Sequence, residues 1–398
     1  MLTSLGLIFI VGLFTAEICN RIKIPRIIGM LITGIVLGPF VLDWLDPTIL
    51  GISSDLRQMA LIIILIKAGL ALNIKDLKTV GRPAVLMSFL PAMFEIAAFV
   101  LFAPPLLHVT ILEAAIMGAV LGAVSPAVVV PRMVQLMEEH YGTDKSIPQL
   151  ILAGASLDDV FVIVLFSSFV SMAQGNAASV MDLVNVPISI VLGIVLGILT
   201  GIGISFIWNC YDKKNRNVRD AIKVIVLLGL SFFLMAAEKK LEGMVAVSGL
   251  LAVMSMACAV QMKIKGEVGK SLSDKYGKLW LAAEVILFVL VGAAVDIRYI
   301  MEAGAMAVLL ILIALLFRSV GVWICMIGTK LTFKEKVFCV ISYIPKATVQ
   351  AAIGSVPLSL GLSCGNLVLS IAVLSIIITA PLGAFGMDLT YKKLLNKS

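Results

Sequence analysis

Charged side chains are scarce in this sequence, at 14% of 398 residues, while hydrophobic residues make up 61% and the mean hydropathy is +1.10. A soluble domain carries roughly 25% charge and about half apolar residues, so a soluble globular protein is excluded. The six cysteines lie in or beside apolar stretches with no Cys-x-x-Cys spacing, which leaves no signal for a disulfide framework or a thiolate metal site. No nucleotide-binding loop is present: the glycine-rich "GIGIS" at 201–205 sits within an apolar stretch and lacks a strand–turn–helix setting. No link is long enough for a soluble domain, the longest being expected around 261–278. The two histidines, His108 and His140, fall in links; a pH-sensing role is open to His140, beside Glu138 and Glu139.

What is abundant is hydrocarbon in lengths of about 18–25 residues, enough for a helix to cross ~30 Å of bilayer. The alternation expected of a membrane β-barrel is missing, and the first apolar stretch reads as a span rather than a cleavable signal. Thirteen spans are predicted, near 2–20, 24–42, 56–73, 83–104, 111–131, 147–173, 186–208, 220–237, 243–260, 279–297, 300–329, 336–354 and 365–388. Links after odd-numbered spans hold most of the Lys and Arg, whereas those after even-numbered spans hold only Lys239, Lys240 and Arg298. By the positive-inside rule the N-terminus lies outside and the C-terminus in the cytoplasm. The net charge of +7 is thereby explained by inner-face links, not by a nucleic-acid partner.

Two pairs of stretches look like copies. "LIIILIKAGLALNI" (61–74) matches "EVILFVLVGAAVDI" (284–297), aligning Gly69 with Gly292. "AVSPAVVVP" (123–131) matches "YIPKATVQA" (343–351), aligning Pro126 with Pro345. The offsets relate spans 1–6 to spans 8–13, which start on opposite sides of the membrane, with span 7 as the link. Inverted repeats are a transporter architecture whose sites lie near mid-membrane. Pro126, Pro131 and Pro345 mark helix breaks at matching depth, tolerable only where the freed backbone faces protein or a watery cavity.

Against this background the stretch "ASLDDV" (155–160) is costly, because it sets Asp158 and Asp159 side by side at mid-span. Glu95, Arg318 and Lys346 also lie near mid-depth, where each charge costs roughly 3 kcal/mol unless paired. The five sum to one net negative charge, which a bound Na⁺ or H⁺ would neutralise. Adjacent carboxylates titrate as a coupled system, and their hard oxygens suit Na⁺ or Li⁺ as well as protons. Competition of cation and proton for one site within an alternating-access machine is antiport. Glu95 and Arg318 are repeat mates and are expected to form a buried pair, a strut between two spans. Lys346, at the second break, is expected to offset a half-helix dipole and to pair with Asp158. Lys67, Glu17, Glu284 and Asp388 sit close to the inner surface and Asp296 near the outer one, positions that need no special role.

The motifs "VSPAVVVP", "YGTDKSIPQLILAGASLDDV" and "IPKATVQAAIGS" closely resemble the NHA branch of the monovalent cation:proton antiporter superfamily, and "PRIIGMLITGIVLGP" and "KAGLAL" fit the wider superfamily. The resemblance implies an all-α membrane protein with the sodium/proton antiporter fold: an inverted repeat containing two broken, crossing helices. It also implies a homodimer, with core helices at about 83–173 and 300–388, scaffold helices at about 1–73 and 220–297, and a linker helix at about 186–208. In that family the second acid of the pair is the principal ion and proton ligand, a role falling to Asp159 with Asp158 as its helper. The branch also has an acid–arginine pair matching Glu95 and Arg318 and a lysine matching Lys346. Many relatives carry a Thr-Asp-Pro motif in the first break, where this chain has Val124-Ser125-Pro126; Ser125 offers a hydroxyl but no compensating acid. Electrogenic relatives often have lysine where this chain has Arg318.

The expected function is secondary Na⁺(Li⁺)/H⁺ antiport across the cytoplasmic membrane, with Na⁺ or Li⁺ and H⁺ as cargo, membrane lipid as surroundings and no cofactor. K⁺/H⁺ exchange on the same scaffold is an alternative, as is a sodium-coupled organic-anion carrier of related fold. An intramembrane aspartyl protease would place its two acids on facing helices, which neighbours on one helix cannot satisfy.

Overall fold

The computed structural model describes residues 1–71, 81–175, 180–213, 218–241, 247–264 and 266–397. Among these every regular element is helical, apart from a single isolated bridge between Tyr141 and Lys397. In chain order the helices are α1 (Leu2–Arg21), α2 (Arg26–Leu37), α3 (Pro47–Gly51), α4 (Ser53–Ala71), α5 (Arg82–Met87), α6 (Leu90–Leu107), α7 (Ile111–Leu121), α8 (Pro126–Glu138) and α9 (Ile147–Gln174). There follow α10 (Val180–Lys213), α11 (Asp220–Leu241), α12 (Gly249–Lys263), α13 (Gly266–Ala293), α14 (Ile297–Cys325), α15 (Phe333–Ser342), α16 (Thr348–Gly354), α17 (Val356–Ser359) and α18 (Gly365–Leu394).

Each expected apolar span contains a helix, and eight helical segments among the described residues are long and apolar enough to cross a bilayer. The chain is a multi-pass membrane protein. Its many exposed large apolar side chains, Phe14, Leu199, Phe206, Phe233 and Leu316 among them, follow directly, since lipid rather than water is their solvent. The long link expected at 261–278 is corrected: α13 begins at Gly266. Hydropathy marks only the apolar second part of that helix, because its first turns are rich in Lys, Ser and Asp.

The chain divides into two compact units. The first comprises residues 1–54, 74–173 and 285–398, and the second 55–73 and 174–284. In the first, α6 packs along α14 and α7, and α18 packs against α14, α15 and α16. In the second, α12 lies between α10 and α11. The repeat-matched glycines have matching uses. A Cβ at Gly292 would strike the Leu31 carbonyl of α2, and one at Gly69 would strike Ala257 and the Met254 carbonyl of α12. Both mark places where backbones approach closely, as small residues allow between membrane helices.

The repeat recurs at the helix starts. Thr110 and Glu113 form a capping box at α7, and Thr332 and Glu335 form one at α15. Each glutamate also holds a residue from the other half of the chain: Ser363 donates to Glu113 at 2.8 Å, and Lys145 to Glu335 at 2.9 Å. Burial raises the Glu335 carboxyl, but hydrogen bonds from Lys145 and Thr332 outweigh it and hold the group below its ordinary value. A depressed folded value means this contact stabilises above the unfolded glutamate pKa of about 4.3 and is lost as pH falls through the lower folded value. Melting temperature should therefore drop on acidification below about pH 4, and Lys145→Met should flatten the drop. An identical pH profile in the variant would remove the contact from the stability account.

Candidate functional site

Two helix breaks meet in the first unit. The α7–α8 break spans Gly122–Ser125 and the α15–α16 break spans Tyr343–Ala347, and the Ser125 amide donates to the Pro345 carbonyl at 2.8 Å. Proline supplies the geometry at both, since Pro126 opens α8 without an amide to satisfy and Pro345 cannot continue α15. Pro131, expected as a further break, is corrected. It lies inside the continuous α8, where it removes one hydrogen bond that the remaining turns tolerate.

Broken helices strand backbone groups in the protein interior, and here many of them find side-chain partners. The last carbonyl of α7 and the first two of the break are capped in order: Leu121 by the Lys346 ammonium at 2.5 Å, Gly122 by the Arg318 guanidinium, and Ala123 by the Gln350 amide at 2.9 Å. Cations and a side-chain amide thus face the negative end of a half-helix. The freed amides are matched too. Val124 donates to Asp158 Oδ2 at 2.9 Å, Lys346 to Thr379 at 2.9 Å, and Ala347 to the Gln350 side-chain oxygen at 2.7 Å. The acid missing from the first break is therefore supplied from α9, by Asp158.

All five mid-depth charges are buried, from 0% exposed for Asp158 to 7% for Asp159. Arg318 joins most of them, donating to Glu95 Oε2 at 2.8 Å, to Asp158 Oδ2 at 2.9 Å and to the Tyr343 carbonyl at 2.8 Å. The Glu95–Arg318 pair expected from the repeat is present. Lys346 corrects the reading: its ammonium takes Glu95 at 2.5 Å, not Asp158, which is held by Arg318 instead. One planar guanidinium can span two carboxylates and two carbonyls, and a point-charge ammonium cannot.

Four charges are thus consumed in pairs, and the surplus negative charge falls on Asp159. No ion pair to Asp159 occurs among the described residues. Asp159 Oδ1 and Asp158 Oδ1 are both buried with no hydrogen-bond partner. A buried carboxylate oxygen without a donor is expensive, and a small cation or a proton would satisfy either one. Ser125 lies at the site by its backbone, while its hydroxyl is directed to the other break, 3.5 Å from the Thr348 hydroxyl. No group of three or more His, Cys, Asp or Glu side chains placed to hold a metal ion occurs among the described residues, and the six cysteines are free.

Thr348, Gln350, Thr379 and Tyr343 also belong to this cluster. Uncharged polar side chains in apolar helices carry a weak signal in sequence, but Gln350, two turns or less from the break, is the most readable of them.

The family model described as "Sodium/hydrogen exchanger, transmembrane" matches residues 6–390. The human protein named sodium/hydrogen exchanger 9B2 is 32% identical over 395 residues, covering 94% of this chain and 70% of that one. The orangutan (Pongo abelii) protein of the same name is 33% identical over the same shares. Among solved structures, the sodium proton antiporter MjNhaP1 from Methanocaldococcus jannaschii at pH 8 superposes with a TM-score of 0.82. It covers 99% of this chain and 98% of its own, at 21% identity, and so shares the fold.

Proposed function

The chain belongs to the sodium/hydrogen exchanger family, and we propose that it exchanges Na⁺ or Li⁺ for H⁺ at Asp158 and Asp159. It is a secondary transporter rather than an enzyme. The observation carrying this reading is the pair of adjacent carboxylates with one unpartnered buried oxygen each, inside a network whose other charges are matched. A bare Na⁺ or Li⁺ brings the cluster to neutrality, and so does one proton. Both cannot be accommodated without leaving a surplus positive charge at a depth where that costs several kcal/mol. Mutual exclusion at one site is what couples the two fluxes.

In this reading Asp159 is the principal ligand. Asp158 assists, with one oxygen committed to Arg318 and Val124 and the other available. Helices within 83–173 and 300–388 form the moving core. Those within 1–73 and 220–297 form a dimerisation scaffold, linked by the helix around 186–208, and core movement exposes the site to each side in turn. The protein sits in the cytoplasmic membrane as a homodimer, with its N-terminus outside and C-terminus inside, in keeping with the basic inner links.

The test is proteoliposomes with an imposed pH gradient. Na⁺ and Li⁺ should each dissipate the gradient and K⁺ should not. A response to K⁺ alone would move the assignment to K⁺/H⁺ exchange on the same scaffold, and a requirement for an organic anion would move it to a sodium-coupled carrier. Repeating the assay with and without a potassium–valinomycin clamp reads out electrogenicity.

A further inference from the structure

We infer that the Tyr343 hydroxyl is a third oxygen of the ion path, placed one helical turn from Asp158 on the side toward the start of α9; the inference rests on Asp158 and Asp159 being the exchange site. Tyr343 is 1% exposed, yet its hydroxyl has no hydrogen-bond partner. The rest of the residue is well engaged. Its carbonyl accepts from Arg318 at 2.8 Å, and the Arg318 guanidinium lies 5.5 Å from the centre of its ring. Buried tyrosine hydroxyls usually find a partner, and this one is unpartnered alongside the free oxygens of Asp158 and Asp159.

Gly154 locates the hydroxyl. A Cβ at Gly154 would clash with the Tyr343 hydroxyl oxygen, so the phenol end rests directly on the α9 backbone at this position. Asp158 is four residues further along the same helix, on nearly the same face, about 6 Å along the axis. Helical side chains lean toward the N-terminus, which carries the Asp158 carboxylate back toward Gly154. Its Oδ2 is taken by Val124 and Arg318, leaving Oδ1 as the open oxygen. The Tyr343 hydroxyl and Asp158 Oδ1 are thus two buried, unpartnered oxygens set against the same stretch of α9, and a Na⁺ or Li⁺ shared between them would satisfy both.

A neutral phenol suits that position because it both donates and accepts. With a cation present it offers the ion a lone pair beside Asp158 Oδ1. It adds no charge, so the balance of the cluster is untouched. The repeat does not reproduce it. By the proline alignment the mate of Tyr343 is Val124, so the phenol serves one approach to the acids only. The absence of a side chain at Gly154 is what admits it.

Tyr343→Phe removes one oxygen and keeps the ring, the stacking on Arg318 and the backbone acceptor. In proteoliposomes the apparent KM for Na⁺ and Li⁺ should rise roughly threefold to tenfold, the loss expected for one hydrogen bond or ligand oxygen. The maximal rate should stay within about twofold and the melting temperature unchanged. Gly154→Ala, which displaces the hydroxyl without removing it, should raise KM in the same direction. If the wild type exchanges and Tyr343→Phe exchanges with the same KM, the hydroxyl is off the path and only this inference fails. A lowered melting temperature with unchanged KM makes it a packing group and overturns the inference in the same way. Should the wild type show no Na⁺- or Li⁺-dependent exchange at all, the reading of the acid pair fails and takes the inference with it.

Discussion

Asp159→Asn is expected to reduce cation-dependent proton exchange to the background of empty liposomes at every pH, while leaving the folded protein intact. The substitution is nearly isosteric, so packing of α9 is kept. It removes the one charge that no protein cation balances. Glu95 and Asp158 then face Arg318 and Lys346 two against two, and the cluster is neutral with nothing bound. Neither Na⁺ nor H⁺ has a charge to compensate, and the site loses the competition that couples them. A second measurement makes the same point without transport. A ligand at a hundredfold excess over its Kd stabilises the folded state by about 2.7 kcal/mol, so Na⁺ or Li⁺ should raise the melting temperature of the wild type and not of Asp159→Asn. The variant without ions should melt no lower than the ion-free wild type, since a surplus buried charge has been deleted. Retained exchange in Asp159→Asn would refute the assignment of that residue as the ligand. Asp158→Asn should be less severe for binding but should weaken the structure, because Oδ2 of Asp158 is engaged by Arg318 and the Val124 amide.

How much of this is readable from the residues alone depends on the range of the interaction. Helices follow from composition within some twenty residues, so each expected span contains at least one. Helix breaks follow from proline plus a matching partner in the other half, which places Pro126 and Pro345 correctly. Pro131 has no such partner and lies in a continuous helix. The five buried charges are visible because charge is rare in hydrocarbon, and the repeat supplies one pairing, Glu95 with Arg318, which are 223 positions apart. It cannot supply the partner of Lys346. Within a cluster of three acids and two bases several pairings balance, and only the path of the backbone decides that Lys346 reaches Glu95 and the Leu121 carbonyl. The same limit hides Gln350 and Thr379, whose work is to satisfy amides and carbonyls freed by a break in another part of the chain. The extra turns of α13 are hidden for a different reason. Its first turns, from Gly266, are polar, and hydropathy reports the solvent around a helix rather than the helix itself.

Arg318 is where the largest loss of stability should appear. Its guanidinium is 1% exposed and serves four acceptors: Glu95, Asp158, the Gly122 carbonyl at the first break and the Tyr343 carbonyl at the second. Arg318→Met leaves Asp158 without a cation and Glu95 with Lys346 alone, and it strips the donor from two buried carbonyls at once. Removing one partner of a buried ion pair costs about 3–5 kcal/mol, so the melting temperature in detergent should fall by at least several degrees. Glu95→Ala should also lower it, more than Asp159→Asn does, because Glu95 accepts from both Arg318 and Lys346. Arg318→Lys separates charge from geometry. It keeps the formal balance of the cluster, but a single ammonium cannot bridge four acceptors in one plane. It should therefore recover only part of the loss. A cycle of Glu95→Ala, Arg318→Met and the double variant should show strong coupling, the double being less destabilised than the sum of the singles. If instead Arg318→Met melts with the wild type, the two breaks are held together by something other than this side chain. In that event the surplus charge on Asp159, which depends on Arg318 being spent on Glu95 and Asp158, would have to be assigned anew.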